Sequence, residues 1–165
     1  MRRDDAAQLE DREARLIAEL YPPLRTFASV VAPAEEDPND LVQEALVRTL
    51  RGGSLSRLEY PKAYLRTAIY HLAVSARRHW IAQRHALQRV EIDDDPPEYT
   101  WQVDELLHLS PKARAVLYLR VVEGMPYGEV ARLLGCSEAA CRKTSSRATR
   151  QLRRLLEEEV NDATA

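Results

Sequence analysis

The sequence predicts an all-α protein with two small helical domains joined by a flexible acidic linker. Apolar residues recur at helical spacing along most of the 165 residues. Glycine is scarce, with 5 residues, and runs of β-branched residues are short, so little of the chain suits strands. The segment 91–98 is acidic, contains two prolines and has no helical periodicity, as expected of a linker. These observations predict a domain over 1–90, a linker over 91–104 and a second domain over 105–160.

The first domain is predicted to begin with a charged helix over 4–20, with an apolar stripe of Leu9, Leu16, Ile17 and Leu20. Pro22 and Pro23 are predicted to end this helix, because proline has no N–H to donate within a helix. A second helix is then expected from 23 to about 31, followed by a loop over 32–38.

The next helix is predicted over 40–51, capped by Asp37 or Asn39 and ended by Gly52 and Gly53. Its predicted core residues are Leu41, Val42, Ala45, Leu46 and Leu50. A further helix is expected from 61 to about 78, with a core face of Leu65, Ala68, Ile69, Leu72, Ala73 and Ala76. Its predicted outward face carries Arg66, Thr67, Tyr70, His71, Ser75, Arg77 and Arg78.

The second domain is predicted to end in a helix-turn-helix. A short helix over 101–109 and a helix from Pro111 to Val122 precede it, the latter with Ala113, Val116, Leu117 and Val121 in its core. A helix carrying Val130, Ala131, Leu133 and Leu134 then leads to Gly135, where a tight turn costs little. Ser137 can cap a second, basic helix to about 158, with a buried face of Cys141, Ser145, Ala148, Leu152 and Leu155. Such a pair places a helix N-terminus in a DNA major groove.

Positive charge is concentrated in two blocks. Residues 110–156 hold ten cations and three anions, and residues 57–89 hold seven cations and one anion, although the whole chain carries −2. Two basic blocks separated by acid favour two nucleic-acid contacts, although either block alone could be a solvated helix surface.

Other function classes find little support. The N-terminus has no apolar run of the secretory kind, and no stretch is long enough to span a membrane, which predicts a cytoplasmic protein. Cys136 and Cys141 are too few for a disulfide framework, and Cys141 is expected on a buried helix face. No metal site, cofactor site or catalytic arrangement is apparent, so an enzyme is not expected.

Three motifs together resemble one family. They are Asp40-Leu41-Val42-Gln43-Glu44, then Pro61-Lys62-Ala63-Tyr64-Leu65 with the helix after it, and the terminal helix-turn-helix with Leu134-Gly135-Cys136-Ser137. In this order, with an acidic linker, they are similar to bacterial extracytoplasmic-function sigma factors of the sigma-70 family, which have only sigma regions 2 and 4. The resemblance covers about 16–156 and implies an alternative sigma factor that directs RNA polymerase core to promoters.

The resemblance implies three contact surfaces. The polymerase surface, which would meet the clamp helices of the β′ subunit, is Asp40, Gln43, Glu44, Val47 and Arg48. The promoter −10 surface is Ser54, Ser56, Arg57, Tyr64, Arg66, Tyr70, His71, Arg77 and Arg78. The −35 surface is Ser137, Glu138, Arg142, Lys143, Ser146, Arg147 and Arg150, where Arg142 and Lys143 can reach guanine and the later arginines phosphates.

The implied partners are RNA polymerase core, including the β flap, promoter DNA and an anti-sigma factor. The alternative is a two-domain helix-turn-helix regulator that binds duplex DNA without polymerase, as a dimer on a palindrome. That alternative uses the second domain in the same way but gives the helix over 40–51 no polymerase to bind.

Overall fold

The computed structural model describes residues 2–87 and 108–162, and all regular structure in these ranges is helical. The helices are α1 (Arg2–Val31), α2 (Pro38–Gly52), α3 (Pro61–Leu87), α4 (Pro111–Leu117), α5 (Tyr127–Leu134) and α6 (Glu138–Asp162). A 3-10 turn spans Leu55–Arg57, and a π-helical turn, Tyr118–Val122, continues α4. The all-α fold is confirmed, whereas the predicted linker and most of the predicted helix over 101–109 lie outside the described residues.

The chain divides into two compact units, Met1–Ala73 and Val74–Ala165, and the division falls within α3. The predicted domain bounds therefore stay a prediction. No helix in the described part of the chain combines the length and apolarity needed to cross a bilayer.

Helix α1 is longer than predicted, because Pro22 and Pro23 lie inside it and do not end it. The two prolines remove backbone donors that would reach the carbonyls of Ala18 and Glu19. Both of those residues are exposed, so water can hydrate these carbonyls. The buried stripe of Leu20, Leu24, Phe27 and Val31 continues past the prolines at helical spacing. Burying each of these four side chains contributes about 1.5–3 kcal/mol, and together they offset a cost of about 3 kcal/mol for each proline.

Helix α2 packs against α1 through Leu41, Val42, Ala45 and Leu46. Asp37 caps it, since its carboxylate accepts a hydrogen bond of 2.7 Å from the backbone N–H of Asn39. The predicted core residue Leu50 is 40% exposed, and Thr49 is buried in its place. The Thr49 hydroxyl donates to the Ala45 carbonyl at 2.7 Å, so the helix itself satisfies this buried polar group.

Helix α3 extends nine residues beyond the predicted end at 78 and buries a wider face than predicted. Leu65, Ile69 and Ala73 are fully buried, as expected. Arg66 and Tyr70, predicted to face outward, are only 4% and 6% exposed.

In the C-terminal unit, α4 and α5 both pack against α6. Ser110 caps α4 by accepting from the Ala113 N–H at 3.2 Å, and Leu109, Ala113 and Ala148 form a small core with Leu117 and Leu152. Burial lowers the pKa of Arg114 to about 10, with a smaller effect from the positive charge of Arg77.

The predicted core residue Val121 is 76% exposed. The reason is the π-helical turn, in which the Glu123 N–H bonds to the Tyr118 carbonyl at 3.1 Å. The wider turn changes the angular position of Val121, while Leu119 stays fully buried.

Candidate nucleic-acid and polymerase interfaces

The helix-turn-helix has the turn that the sequence predicts. Gly135 follows α5 with a φ of 64°, a left-handed conformation that glycine adopts without strain. The Cys136 N–H bonds back to the Ala131 carbonyl at 3.0 Å, which closes the end of α5. Ser137 then caps α6 by accepting from the Ala140 N–H at 3.1 Å. The start of α6 is thereby fixed relative to α5.

All seven residues predicted for the −35 surface are exposed on α6 or at its cap: Ser137, Glu138, Arg142, Lys143, Ser146, Arg147 and Arg150. The buried side of the same helix holds Cys141 and Ala148, as predicted. Ser145, Leu152 and Leu155, also predicted to be buried, are only half-buried. A helix that exposes four cations in its N-terminal half suits a polyanion such as DNA.

Arg142 is held by two neighbours. Its Nη2 and Nε groups donate to one carboxylate oxygen of Glu138 at 2.5 and 3.1 Å. Its guanidinium carbon also lies 4.7 Å from the centre of the Tyr127 ring. Sequence reasoning missed Tyr127, because residues fifteen positions apart show no local pattern of contact.

Arg120, on the π-helical turn, contacts the same ring. Its guanidinium carbon lies 4.4 Å from the ring centre, and its Nη1 donates to the Met125 carbonyl at 2.5 Å. The Tyr127 hydroxyl and the Ser145 hydroxyl are 3.2 Å apart. That hydrogen bond is the main cause that lowers the pKa of Tyr127, with further lowering from the positive charges of Arg120 and Arg142.

Two thiols lie beneath the start of α6. Cys136 and Cys141 are free, and their Sγ atoms are 3.2 Å apart. Cys141 is fully buried, and this burial, together with the contact to Cys136, raises its pKa to about 11. In the described ranges, no group of three His, Cys, Asp or Glu residues could hold a metal ion.

The five residues predicted for the polymerase surface, Asp40, Gln43, Glu44, Val47 and Arg48, are all exposed on one side of α2. Val47 is 40% exposed, which leaves an apolar patch among polar side chains. Glu44 accepts from Arg48 Nε at 2.6 Å, one helical turn along. The surface is thus a mixed polar and apolar strip beside a well-packed core.

The residues predicted for the −10 surface are not all exposed to solvent. Arg57, Tyr64, His71 and Arg78 are exposed, and Ser54, Ser56 and Arg77 are half-buried. The exposure predicted for Arg66 and Tyr70 is wrong. The Arg66 guanidinium lies 5.7 Å from the centre of the Phe27 ring, because α1 covers this side of α3.

Glu13 of α1 holds the loop that carries Ser54. Its carboxylate accepts hydrogen bonds from the Ser54 hydroxyl and the Leu55 N–H. The burial of Glu13 acts to raise its pKa, but hydrogen bonds from Ser54, Leu55 and Ser56 outweigh it and lower the pKa overall. Sequence reasoning missed this contact, which joins residues some forty positions apart.

Comparisons with known proteins agree with this geometry. Residues 103–152 match the family model for sigma-70, region 4. Among solved structures, the chain is similar to the sigma factor RpoE of Bartonella quintana, which was crystallised with the anti-sigma factor NepR. The likeness has a TM-score of 0.64 and 23% sequence identity over 87% of this chain and 96% of that one. No curated protein matches the chain.

The family match covers the helix-turn-helix, and the shared fold extends over most of the chain. Both agree with the family predicted from the three sequence motifs. Residues 103–152 belong to the sigma-70 region 4 family, and the fold of the chain is similar to that of a solved sigma factor.

Proposed function

We propose that this protein is a sigma factor of the extracytoplasmic-function class, which directs RNA polymerase core to a specific set of promoters and reads their −35 element with α6. The observation that carries this proposal is the capped, basic start of α6, where Arg142, Lys143 and Arg147 are exposed behind a closed turn. Arginine and lysine in the first turns of a recognition helix can pair with guanine O6 and N7. Arg150, farther along, is placed to contact phosphates, which fixes register and makes binding depend on salt.

The proposed contact with polymerase is the exposed side of α2, from Asp40 to Arg48. The strip combines charge, amide and the apolar Val47, a composition typical of a protein interface. Its apolar side is used to pack α2 against α1, so the outer side is open to a partner. The clamp helices of the β′ subunit are the proposed partner of this strip, and the β flap is the proposed partner of the C-terminal unit.

The proposed −10 contact is smaller than the sequence predicts. Exposed Arg57, Tyr64, His71 and Arg78 remain in it, and an unpaired base can stack on the rings of Tyr64 and His71. Ser54 and Ser56 are proposed to act at the edge of this surface. Arg66 and Tyr70 are not part of it.

The test is runoff transcription with purified polymerase core on genomic fragments. The full chain should produce defined transcripts that core alone does not produce. An electrophoretic shift should need core polymerase for strong promoter binding. Tight, specific binding of duplex DNA by the chain alone, with no transcription, would support a duplex-binding regulator instead.

We further propose that a protein partner of the anti-sigma kind controls access to these surfaces. The structurally similar RpoE was crystallised with such a partner, and here the polymerase strip and the −35 surface are both exposed. The partner should co-purify from cells and abolish runoff transcription when it is added back. If nothing co-purifies and the purified chain is fully active, control must lie elsewhere.

The acidic segment 91–98 offers a second means of control, since opposite charges in one chain attract at low salt. In that case the substitution of Asp93, Asp94 and Asp95 by Asn should raise activity in the absence of any partner. Equal activity of this variant and the wild type would exclude self-shielding by these carboxylates.

A further inference from the structure

The start of α6 holds its main candidate base-reading arginine in a defined position. The Arg142 side chain is 61% exposed and yet contacts both the carboxylate of Glu138 and the ring of Tyr127. Glu138 is four residues earlier on the same helix, whereas Tyr127 is the first residue of α5. A local ion pair and a tertiary contact therefore act on one guanidinium group.

The two contacts leave one edge of the guanidinium available. Glu138 accepts from Nε and Nη2, which form the side edge of the group. On the outer edge, Nη1 makes no hydrogen bond to residues 2–87 or 108–162, and Nη2 keeps a second N–H beside the one that Glu138 accepts. A guanine presents O6 and N7 to such a pair of donors in the major groove. The ion pair with Glu138 is thus compatible with base reading and restricts the rotation of the group.

Tyr127 is itself fixed by two further contacts. Its hydroxyl is hydrogen-bonded to Ser145 on α6, and the Arg120 guanidinium lies 4.4 Å from its ring centre. The Arg120 Nε is buried and has no hydrogen-bond partner in the described part of the chain, so the ring is the neighbour this cation faces. The ring is consequently held by two elements before it meets Arg142.

We propose that Tyr127 is a positioning residue for promoter recognition, which holds the Arg142 guanidinium so that its outer edge faces one guanine of the −35 element. This inference rests on the proposed function and adds to it a residue that does not itself touch DNA. An arginine that is already restrained loses less conformational freedom on binding. The contribution of Tyr127 to sequence preference should therefore appear only at the base pair that Arg142 contacts.

The experiment selects binding sites from a randomised DNA duplex with the full chain bound to polymerase core. The proteins compared are wild type, Tyr127→Leu, Tyr127→Phe, Arg142→Ala and the double variant Tyr127→Leu with Arg142→Ala. Tyr127→Leu should weaken the preference at one base pair about two- to fivefold, the value expected of an exposed cation–ring contact. That base pair should be the one at which Arg142→Ala abolishes the preference. Tyr127→Phe, which keeps the ring, should retain most of the preference.

The double variant separates positioning from simple structural support. If Tyr127 acts through Arg142, then Tyr127→Leu should cause no further change at that base pair when Arg142 is already alanine. An equal loss at every base pair, or the same loss with and without Arg142, would overturn the proposal. Circular dichroism of each variant shows whether the helices are intact, and a Tyr127→Phe variant as defective as Tyr127→Leu would also overturn it.

The wild-type result distinguishes the two levels of inference. If wild type with core selects no sequence at all, the proposed function fails. If wild type selects a sequence and Tyr127→Leu selects it with the same preference, only the positioning role fails.

Discussion

The same pair of residues occurs on two helices of this protein and has different surroundings in each. In α2, Glu44 and Arg48 form an ion pair of 2.6 Å, and in α6, Glu138 and Arg142 form one of 2.5 Å. The arginine side chains are almost equally exposed, at 63% and 61%. Arg142 lies beside the Tyr127 ring, whereas no aromatic ring contacts Arg48 among the described residues.

The comparison shows that the four-residue spacing of Glu and Arg is enough to form the ion pair. The tertiary surroundings of the pair depend on other parts of the chain. An exposed pair one helical turn apart contributes only about 0.3–0.5 kcal/mol to stability. Under the proposed function, the pair on α2 leaves the surface free to adapt to a protein partner. The pair on α6 is part of a tertiary contact that, under the proposed function, orients a donor group toward a rigid base edge.

The largest expected effect is on polymerase binding. Replacing Asp40, Gln43 and Glu44 together with alanine should lower the affinity for core at least tenfold, because a central interface residue often contributes more than 1 kcal/mol. Helical content should be unchanged, since all three residues are exposed. The measurement is a quantitative pull-down with core polymerase.

The matched control also uses alanine and replaces Glu35 and Glu36, two exposed acidic residues in the loop before α2. It should bind core as the wild type does. If both variants lose affinity equally, only net charge matters, and α2 would not be a specific docking surface.

The next effect concerns the arginine that has an aromatic neighbour. Arg142→Ala should cost about 1–3 kcal/mol on the preferred promoter and relax the preference at one base pair. Arg150→Ala should weaken binding to all DNA sequences evenly. The slope of log affinity against log salt concentration should decrease by about one. Both expectations are tested by measuring the affinity of each variant, bound to core polymerase, for the specific duplex and for a random duplex. Equal losses on the two duplexes for Arg142→Ala would make it a phosphate contact and would remove the contrast with Arg48.

A smaller effect is expected for the loop that Glu13 holds in the N-terminal unit. Glu13→Gln should cost about 1 kcal/mol at pH 7, because the hydrogen bonds to a charged acceptor are lost. The pKa of Glu13 is lower in the folded than in the unfolded protein, so this stabilisation exists above the unfolded pKa. It is lost as the pH falls through the folded pKa.

Urea unfolding of the full chain at pH 7 and at successively lower pH values should therefore show the wild type and Glu13→Gln converging in acid. Glu10→Gln is the control, because Glu10 is exposed one turn earlier on α1. A difference between wild type and Glu13→Gln that stays constant with pH would contradict a role for the charge.

The last expected effect is chemical rather than functional and concerns only the C-terminal unit, which holds both cysteines. Iodoacetamide at pH 8 should react with Cys141 at least tenfold more slowly in the folded than in the urea-unfolded protein. Burial raises the pKa of this thiol from 9 to about 11, so little thiolate is present. The single-cysteine variants Cys136→Ser and Cys141→Ala allow each rate to be measured alone by mass spectrometry. Rapid labelling of Cys141 in the folded protein would show that the turn opens readily.

Sequence periodicity was sufficient for the parts of the site that depend on one helix. The exposed residues of α2 and α6 follow from helical spacing, and the Ser137 cap follows from residue type. Sequence did not reveal which side of α3 is covered, and Arg66 and Tyr70, predicted to face outward, are buried. The break predicted at Pro22 and Pro23 failed for the same reason, because the packing of Leu24 and Phe27 outweighs a local preference.

The π-helical turn at Tyr118–Val122 holds one residue more than an α-helical turn does, because its hydrogen bond joins the Glu123 N–H to the Tyr118 carbonyl five positions earlier. If one residue, such as the exposed Val121, were deleted, the same two groups would be four positions apart, which is the spacing of an α-helical hydrogen bond. The turn could then close as an α-helix while its two ends keep nearly the same orientation. The turn thus absorbs an extra residue on the exposed side of the helix, and the C-terminal unit should tolerate the loss of that residue better than the loss of any residue in its core.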